Sequence, residues 1–173
     1  MSELLAASLV RDVPDFPKPG IIFKDITPIL QHHAALQQAI DKMSESVSRM
    51  KPDVIVGIES RGFVFGVPIA LNLGLGFVPV RKLGKLPHDR ITEEYALEYG
   101  INTVEMHRDA IHPGQGAVIV DDLLATGGTA AAAMRLIERL GGETRGMSCL
   151  IELTFLHGRK ALRGIDLVPL IQY

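Results

Sequence analysis

Val118-Ile119-Val120-Asp121-Asp122-Leu123-Leu124-Ala125-Thr126-Gly127-Gly128-Thr129 is the stretch that decides the fold. Residues 117–120 form an apolar run rich in β-branched side chains, the pattern of a parallel strand buried on both faces. The run ends in two adjacent acids. Two glycines between two threonines follow, and the pattern predicts a helix opening near Gly128 or Thr129 and running through Met134 and Ile137 to Leu140. Gly141-Gly142 is its stop. In open α/β sheets, ligands bind beyond the carboxyl ends of strands. A helix N-terminus offers N–H groups and a positive dipole end, which suit a phosphate. Glycines let the backbone approach that phosphate, and Thr126 and Thr129 can add hydroxyl donors. The two acids can accept from sugar hydroxyls, so the arrangement suits a ribose phosphate. Read as structure alone, the acids would open a polar loop and the glycines would cap a helix. That strand, acids, glycines and hydroxyls all fall in one order favours the ligand loop.

Working outward, residues 54–58 and 147–153 are further apolar strand runs, and Leu167 to Ile171 suits a last short strand. A buried helix over about residues 63–73 and a strand over 77–80 complete a βαβ unit after Ile58. Residues 63–80 carry no charge and approach the length of a membrane span, but Pro68, Asn72, Gly74, Gly76 and Pro79 split them into helix, turn and strand. Upstream, Thr27-Pro28 reads as an N-cap followed by Pro at the first helical position. A longer helix runs on to about Met50, with Leu36, Ile40, Met43, Val47 and Met50 as one apolar stripe. Tyr95, Leu97 and Tyr99 alternate with Glu94, Ala96 and Glu98. This predicts a hairpin turning at Gly100-Ile101-Asn102 and returning over residues 103–106. Alternating strands and helices argue an α/β fold: a mainly parallel sheet with helices on both faces.

Composition bounds the function. The 173 residues suit one domain, and 47% hydrophobic with 22% charged residues excludes a disordered or fibrous chain. The net charge of −2 supplies no positive field for nucleic acid or anionic lipid, so an anionic ligand must be held by locally placed donors. The lone Cys149 can form no internal disulfide, which points to a reducing, cytoplasmic compartment. No basic leader opens the chain. The six histidines show no metal-ligand spacing, and one Cys cannot complete a thiolate site. There is no Gly-x-Gly-x-x-Gly, and Gly84-Lys85 lacks the rest of a P-loop.

The stretch 118–129 resembles the phosphoribosyl diphosphate (PRPP) motif of the type I phosphoribosyltransferases. Three further stretches narrow the resemblance to the adenine-using members of that family: residues 16–28 (FPKPGIIFKDITP), 57–63 (GIESRGF) and 97–100 (LEYG). The similarity covers nearly the whole chain, with Lys24 standing where many members carry Arg. It implies a single phosphoribosyltransferase domain with a small N-terminal hood over about residues 1–35 and a mobile catalytic hairpin loop over about 84–106.

The implied reaction is transfer of the 5-phosphoribosyl group of PRPP to adenine, giving AMP and diphosphate, with Mg²⁺. Ala125, Thr126, Gly127, Gly128 and Thr129 would hold the 5′-phosphate. Asp121 and Asp122 would meet the ribose hydroxyls directly or through metal-bound water, with no all-protein metal cage. Arg61, Arg81, Lys82 and Lys85 would bind diphosphate. Arg81 would reach a partner subunit's site, which implies a homodimer. Glu98 would manage the proton on the purine imidazole, Tyr99 would line the closed site, and Arg61 joins them as a catalytic residue. Ile22, Phe23, Lys24 and Leu123 would bind adenine, with the Ile22 C=O and Lys24 N–H reading the base edge. The resemblance also places a non-proline cis peptide at Ser60–Arg61.

Without the resemblance, the basic residues 81–85 read as a solvated loop, Glu98 as an exposed strand acid and Arg61 as a surface arginine. Three rivals share the PRPP motif: the same transfer to hypoxanthine, xanthine or orotate; a PRPP-binding regulator of transcription; and a PRPP-synthesising kinase. The regulator would need a nucleic-acid surface, and the kinase a much longer chain.

Overall fold

The computed structural model describes residues 4–96 and 100–173. The chain divides into two compact units, Met1–Lys42 and Met43–Tyr173. In the first, α1 (Leu5–Leu9) precedes strands β1 (Arg11–Pro14) and β2 (Ile22–Asp25), which pair antiparallel with Val13 opposite Phe23. Helix α2 (Thr27–Gln31) follows. Thr27, expected as its cap, is instead its first residue, and the cap is supplied from β2. Asp25 Oδ1 accepts from the Thr27 N–H at 2.9 Å and the Thr27 hydroxyl at 2.7 Å. His32 breaks the helix, and its Nδ1 accepts from the Ala35 N–H to start α3 (His33–Arg49).

The second unit holds a seven-stranded sheet. Its strands are β3 (Val54–Ile58), β4 (Gly76–Lys82), β5 (Arg90–Ala96), β6 (Ile101–His107), β7 (Gly116–Leu124), β8 (Glu143–Glu152) and β9 (Asp166–Gln172). The order is β5-β6-β4-β3-β7-β8-β9. The run from β4 to β9 is parallel, and β5 and β6 extend it antiparallel at one edge. Helix α4 (Arg61–Leu73) joins β3 to β4, and α5 (Gly128–Arg139) joins β7 to β8.

The two faces are covered by different helices, because alternate residues of a strand point oppositely. Val54, Val56 and Ile58 share a core with Ala117, Ile119, Met147 and the Ala133, Leu136 and Ile137 of α5. The opposite face meets α4 and the C-terminal half of α3. A Cβ on Gly66 of α4 or Gly57 of β3 would stand 2.7 or 2.5 Å from the Phe77 ring, and a Cβ on Gly146 would stand 2.4 Å from Met50 Sδ. The stripe expected on the long helix is buried at Ile40, Met43, Val47 and Met50, while Leu36 is half-buried.

Two local expectations are corrected. The hairpin does not turn at Gly100-Ile101-Asn102: Ala96 pairs with Ile101 and Tyr95 with Asn102, so both Ile101 and Asn102 are already in β6. Gly100, at φ 104°, takes the conformation a side chain resists. The non-proline cis bond lies one residue earlier than expected, at Glu59–Ser60, because Arg61 already belongs to α4.

Candidate active site

A cavity of about 290 Å³ opens at the carboxyl ends of β3, β4 and β7. Its lining joins Glu59, Ser60 and Arg61 after β3, Arg81 and Lys82 ending β4, Asp121, Asp122 and Leu123 of β7, and Thr129 in the first turn of α5. A smaller hollow of about 80 Å³ shares Asp121, Leu123 and Thr129 and adds Ala125, Thr126, Gly127 and Gly128. The strand that was expected to stop at Val120 runs on to Leu124, held by β8. Pairing with β3, however, ends at Val120, so the acids lie along an edge that β3 has left open. Gly62 brings α4 against that edge: a Cβ there would stand 2.8 Å from the Val120 carbonyl oxygen and 3.0 Å from Asp121 Oδ1.

The charges are arranged in pairs. Arg61 Nε donates to Asp122 Oδ2 at 2.5 Å, with the Asp122 side chain only 8% exposed. Arg81 donates to Glu59 through Nε at 3.3 Å, and the Lys82 N–H reaches the same carboxylate at 3.0 Å. Burial works to raise Glu59, but these donors overcome it and hold the carboxyl below its usual range. Asp121 goes the other way: burial, and then the neighbouring Asp122 charge, push it well up.

The phosphate-type loop turns on Gly127, at φ 82°, into α5. By helix geometry the first N–H groups of α5 have no partner within the helix. They sit among the residues lining the smaller hollow, and the Thr126 and Thr129 side chains share that lining.

Arg61, Asp121, Asp122, Leu123, Ala125, Thr126, Gly127, Gly128, Thr129, Arg81 and Lys82 are thus gathered in two adjoining hollows. Arg81 lines this cavity and pairs with Glu59 at the end of the neighbouring strand. Lys85 is not in either lining. The Glu105 carboxylate accepts from the N–H groups of Gly84, Lys85 and Leu86 and fixes a turn beside the cavity, where the Lys85 charge helps hold the Glu59 carboxyl down. Glu98 and Tyr99 lie outside the described residues. The strand residues flanking them, Tyr95 and Asn102, line the cavity. Ile22, Phe23 and Lys24 lie on β2 of the first unit. There Phe23 meets Phe16 edge-on, with ring centroids 5.1 Å apart, and Lys24 pairs with Asp12 at 2.7 Å. Sequence reasoning missed Glu59, Tyr95, Asn102 and Glu105. Only Glu59 carried a signal, as the residue just after a buried strand and two before Arg61.

Among the described residues no cluster of three His, Cys, Asp or Glu could hold a metal ion by itself. The carboxylates of Asp121, Asp122 and Glu59 are oxygen donors of the kind a hard divalent cation accepts alongside ligand oxygens and water.

A family model for the phosphoribosyl transferase domain matches residues 25–164. The chain belongs to the phosphoribosyltransferase family. Within it, the chain is 57% identical over 164 residues to the adenine phosphoribosyltransferase of Desulfitobacterium hafniense (strain Y51), covering 95% of each protein. The crystal structure of adenine phosphoribosyltransferase from Thermoanaerobacter pseudethanolicus superimposes with a TM-score of 0.95 at 50% identity, over 97% of this chain and 98% of that one. The Saccharomyces cerevisiae enzyme, complexed with an imino-altritol bisphosphate and adenine, gives a TM-score of 0.89 at 42% identity, over 95% of this chain and 96% of that one. This phosphoribosyltransferase stands among the adenine phosphoribosyltransferases of its family, and none of its described helices is long and apolar enough to cross a membrane.

Proposed function

We propose that this phosphoribosyltransferase transfers the 5-phosphoribosyl group of PRPP to adenine, releasing diphosphate and forming AMP for purine salvage. The observation that carries the reading is the meeting of the residue 125–129 loop, the two acids and three cationic side chains in adjoining hollows. The adenine bound by the yeast relative supports the choice of base.

The reaction breaks the bond from the anomeric carbon to diphosphate and forms one to the imidazole nitrogen of adenine. The loop N–H groups and the Thr126 and Thr129 hydroxyls hold the 5′-phosphate and so fix the ribose. Asp121 and Asp122 accept from the ribose hydroxyls, and positive charge developing on the ring is favoured beside carboxylates. Arg61, Arg81 and Lys82 bind the departing diphosphate, Arg61 by a fork that matches phosphate oxygens. Mg²⁺ supplies charge neutralisation at the diphosphate when bound, and Asp121 and Asp122 are the carboxylates that would hold its water shell. Glu98 takes the proton that the imidazole gives up, and Tyr99 closes over the reacting groups. Closing the site would exclude water, which could otherwise hydrolyse PRPP.

The base is assigned to Ile22, Phe23 and Lys24, with Leu123 as a further contact. Adenine presents a donor at its exocyclic amine and an acceptor at N1, which the Ile22 C=O and Lys24 N–H complement. Pro14 stands opposite Ile22 and has no N–H to give, so that carbonyl is not consumed by its cross-strand neighbour. A homodimer is part of the proposal. It is supported by the apolar outer face of α4, where Val64, Val67 and Leu71 are 38%, 41% and 75% exposed. A cytoplasmic location is also part of the proposal, and the single buried thiol, Cys149, suits a reducing compartment.

The test is an assay of the purified protein with PRPP and Mg²⁺ against adenine, hypoxanthine, guanine, xanthine and orotate. AMP and diphosphate formed in equal amounts from adenine are expected. Turnover only on another base, or on none, would overturn the reading.

A further inference from the structure

The last residue of β8, Glu152, is a carboxylate 2% exposed, and the transfer chemistry does not use it. Arg159 grips it with two bonds, Nε to Oε1 at 2.6 Å and Nη2 to Oε2 at 2.7 Å, and Gln172 Nε2 adds a third at 2.8 Å. Glu152 lies in register with Leu124, the residue before the phosphate-type loop, and with Gln172 of β9. Arg159 belongs to the short turn Gly158–Ala161, which packs directly on that loop. A Cβ on Gly158 would stand 2.3 Å from the Ala125 carbonyl oxygen. One on Gly127 would stand 2.5 Å from the Gly158 carbonyl oxygen and 3.0 Å from Ala161 Cβ. Two backbones therefore touch with no side chain between them. No residue of 157–161 lines either hollow, so the turn supports the loop from outside the ligand space. His157, at φ 55°, swings the chain into this position, and Leu162, 3% exposed, anchors its far side in the core.

We propose that Glu152 and Arg159 are positioning residues: their bidentate pair clamps the Gly158–Ala161 turn against residues 125–127 and holds the loop ready for the 5′-phosphate. The loop binds through backbone N–H groups, so its affinity depends on how well they are aimed before the ligand arrives. With the clamp released, the ligand must order the loop itself. The loss falls on groups carrying the 5′-phosphate and not on the free base. The proposal rests on the assignment of residues 125–129 to that phosphate.

The experiment measures KM for PRPP, KM for adenine, kcat, the Kd of AMP and Tm for the wild type, Glu152→Gln, Arg159→Gln and Arg159→Lys. Arg159 is 47% exposed at its side chain, so its variants test the bond without altering a buried residue should Glu152→Gln fail to fold. Expected is a rise of roughly ten- to a hundredfold in the KM for PRPP and the Kd of AMP, the cost of a slightly misplaced binding loop. The KM for adenine and kcat should stay within about threefold. Arg159→Lys, which keeps the charge but not the fork, should recover part of the loss. A fall in Tm with KM for PRPP unchanged in all three variants would overturn the proposal and leave the pair merely structural. Thr126→Ala and Thr129→Val separate the two readings. If they leave KM for PRPP unmoved, the phosphate assignment itself fails. If they raise it while the clamp variants do not, only the clamp is wrong.

Discussion

Arg61 and Asp122, both lining the cavity, are joined at 2.5 Å, with the arginine at the start of α4 and the acid in β7. Both are assigned to PRPP, one to its diphosphate and one to its ribose. Each lies within reach of the other's charge. The neighbouring Asp121 has no such arrangement, since burial and the Asp122 charge raise it well above an ordinary carboxyl. Two adjacent acids with one proposed task meet different surroundings, one beside the Arg61 guanidinium and one accepting from the Asp122 N–H.

Asp121→Asn and Asp122→Asn should therefore both lower turnover but move stability in opposite directions. Each loses a charge-assisted bond to the sugar worth about 1.5–3 kcal/mol, a fall of roughly ten- to a hundredfold. The folded state holds the Asp121 proton to higher pH than the unfolded chain, so ionising it costs stability as pH climbs above the model-peptide range. Asn removes that cost, and Tm at pH 7 should rise. Asp122→Asn removes the charge that Arg61 Nε meets, and Tm should fall. Thermal melts without ligand, paired with initial rates, check both. Equal Tm shifts of one sign would contradict the electrostatic reading.

Glu98→Gln should lower kcat by about ten- to a hundredfold, with the KM for PRPP moving far less, if the carboxylate acts as the transition state forms. Glu94→Gln is the control: Glu94 is exposed on β5, and its side chain makes no part of the cavity lining. Steady-state kinetics of the two variants side by side decide the matter. Small, equal effects would reduce Glu98 to a solvated surface acid.

Lys24→Ala should keep its preference for adenine over hypoxanthine. The lysine side chain is spent on Asp12 at 2.7 Å, and base reading is assigned to the backbone of β2. Hypoxanthine carries a carbonyl at C6 and a proton on N1, so two groups would be mismatched. At about 1–3 kcal/mol each, the discrimination is roughly thirtyfold to many thousandfold. Relative kcat/KM on the two bases, for wild type and variant, is the measurement. A collapse of the ratio with the fold intact would move the reading to the side chain.

Asp25 should titrate at about 2, below the ordinary 3.8 of an aspartate, because it accepts from the Thr27 hydroxyl and N–H and from Arg11. Its folded value is depressed, so its contribution to stability is fully present above the unfolded value and is lost as pH falls through about 2. Carboxyl-carbon NMR across pH 1–6 follows it directly. In Thr27→Ala the midpoint should move back towards 3.8, since the largest of these interactions is gone.

The strand, acids and glycine loop of residues 118–129 were legible in the sequence because everything that shapes them is local. A buried β-branched run, an abrupt change to acids and a left-handed turn at Gly127 are written in consecutive residues. That the sheet is mainly parallel followed from the alternation of strands and helices, but the order of its strands did not. Tertiary structure alone decided which distant groups meet. Glu59 holds Arg81 and Lys82 in the cavity from 22 and 23 residues away, and Glu105 gathers the N–H groups of Gly84, Lys85 and Leu86 into a turn beside it. The hairpin register, with Ala96 opposite Ile101, was not legible in the hydrophobic alternation, because alternation assigns faces and leaves the pairing partner open. Glu152 and Arg159 read as ordinary charges in a chain of mixed charge. Only the packing of Gly158 onto the Gly127 loop gives their bond a place in binding, because that contact depends on β7, β8 and β9 lying side by side.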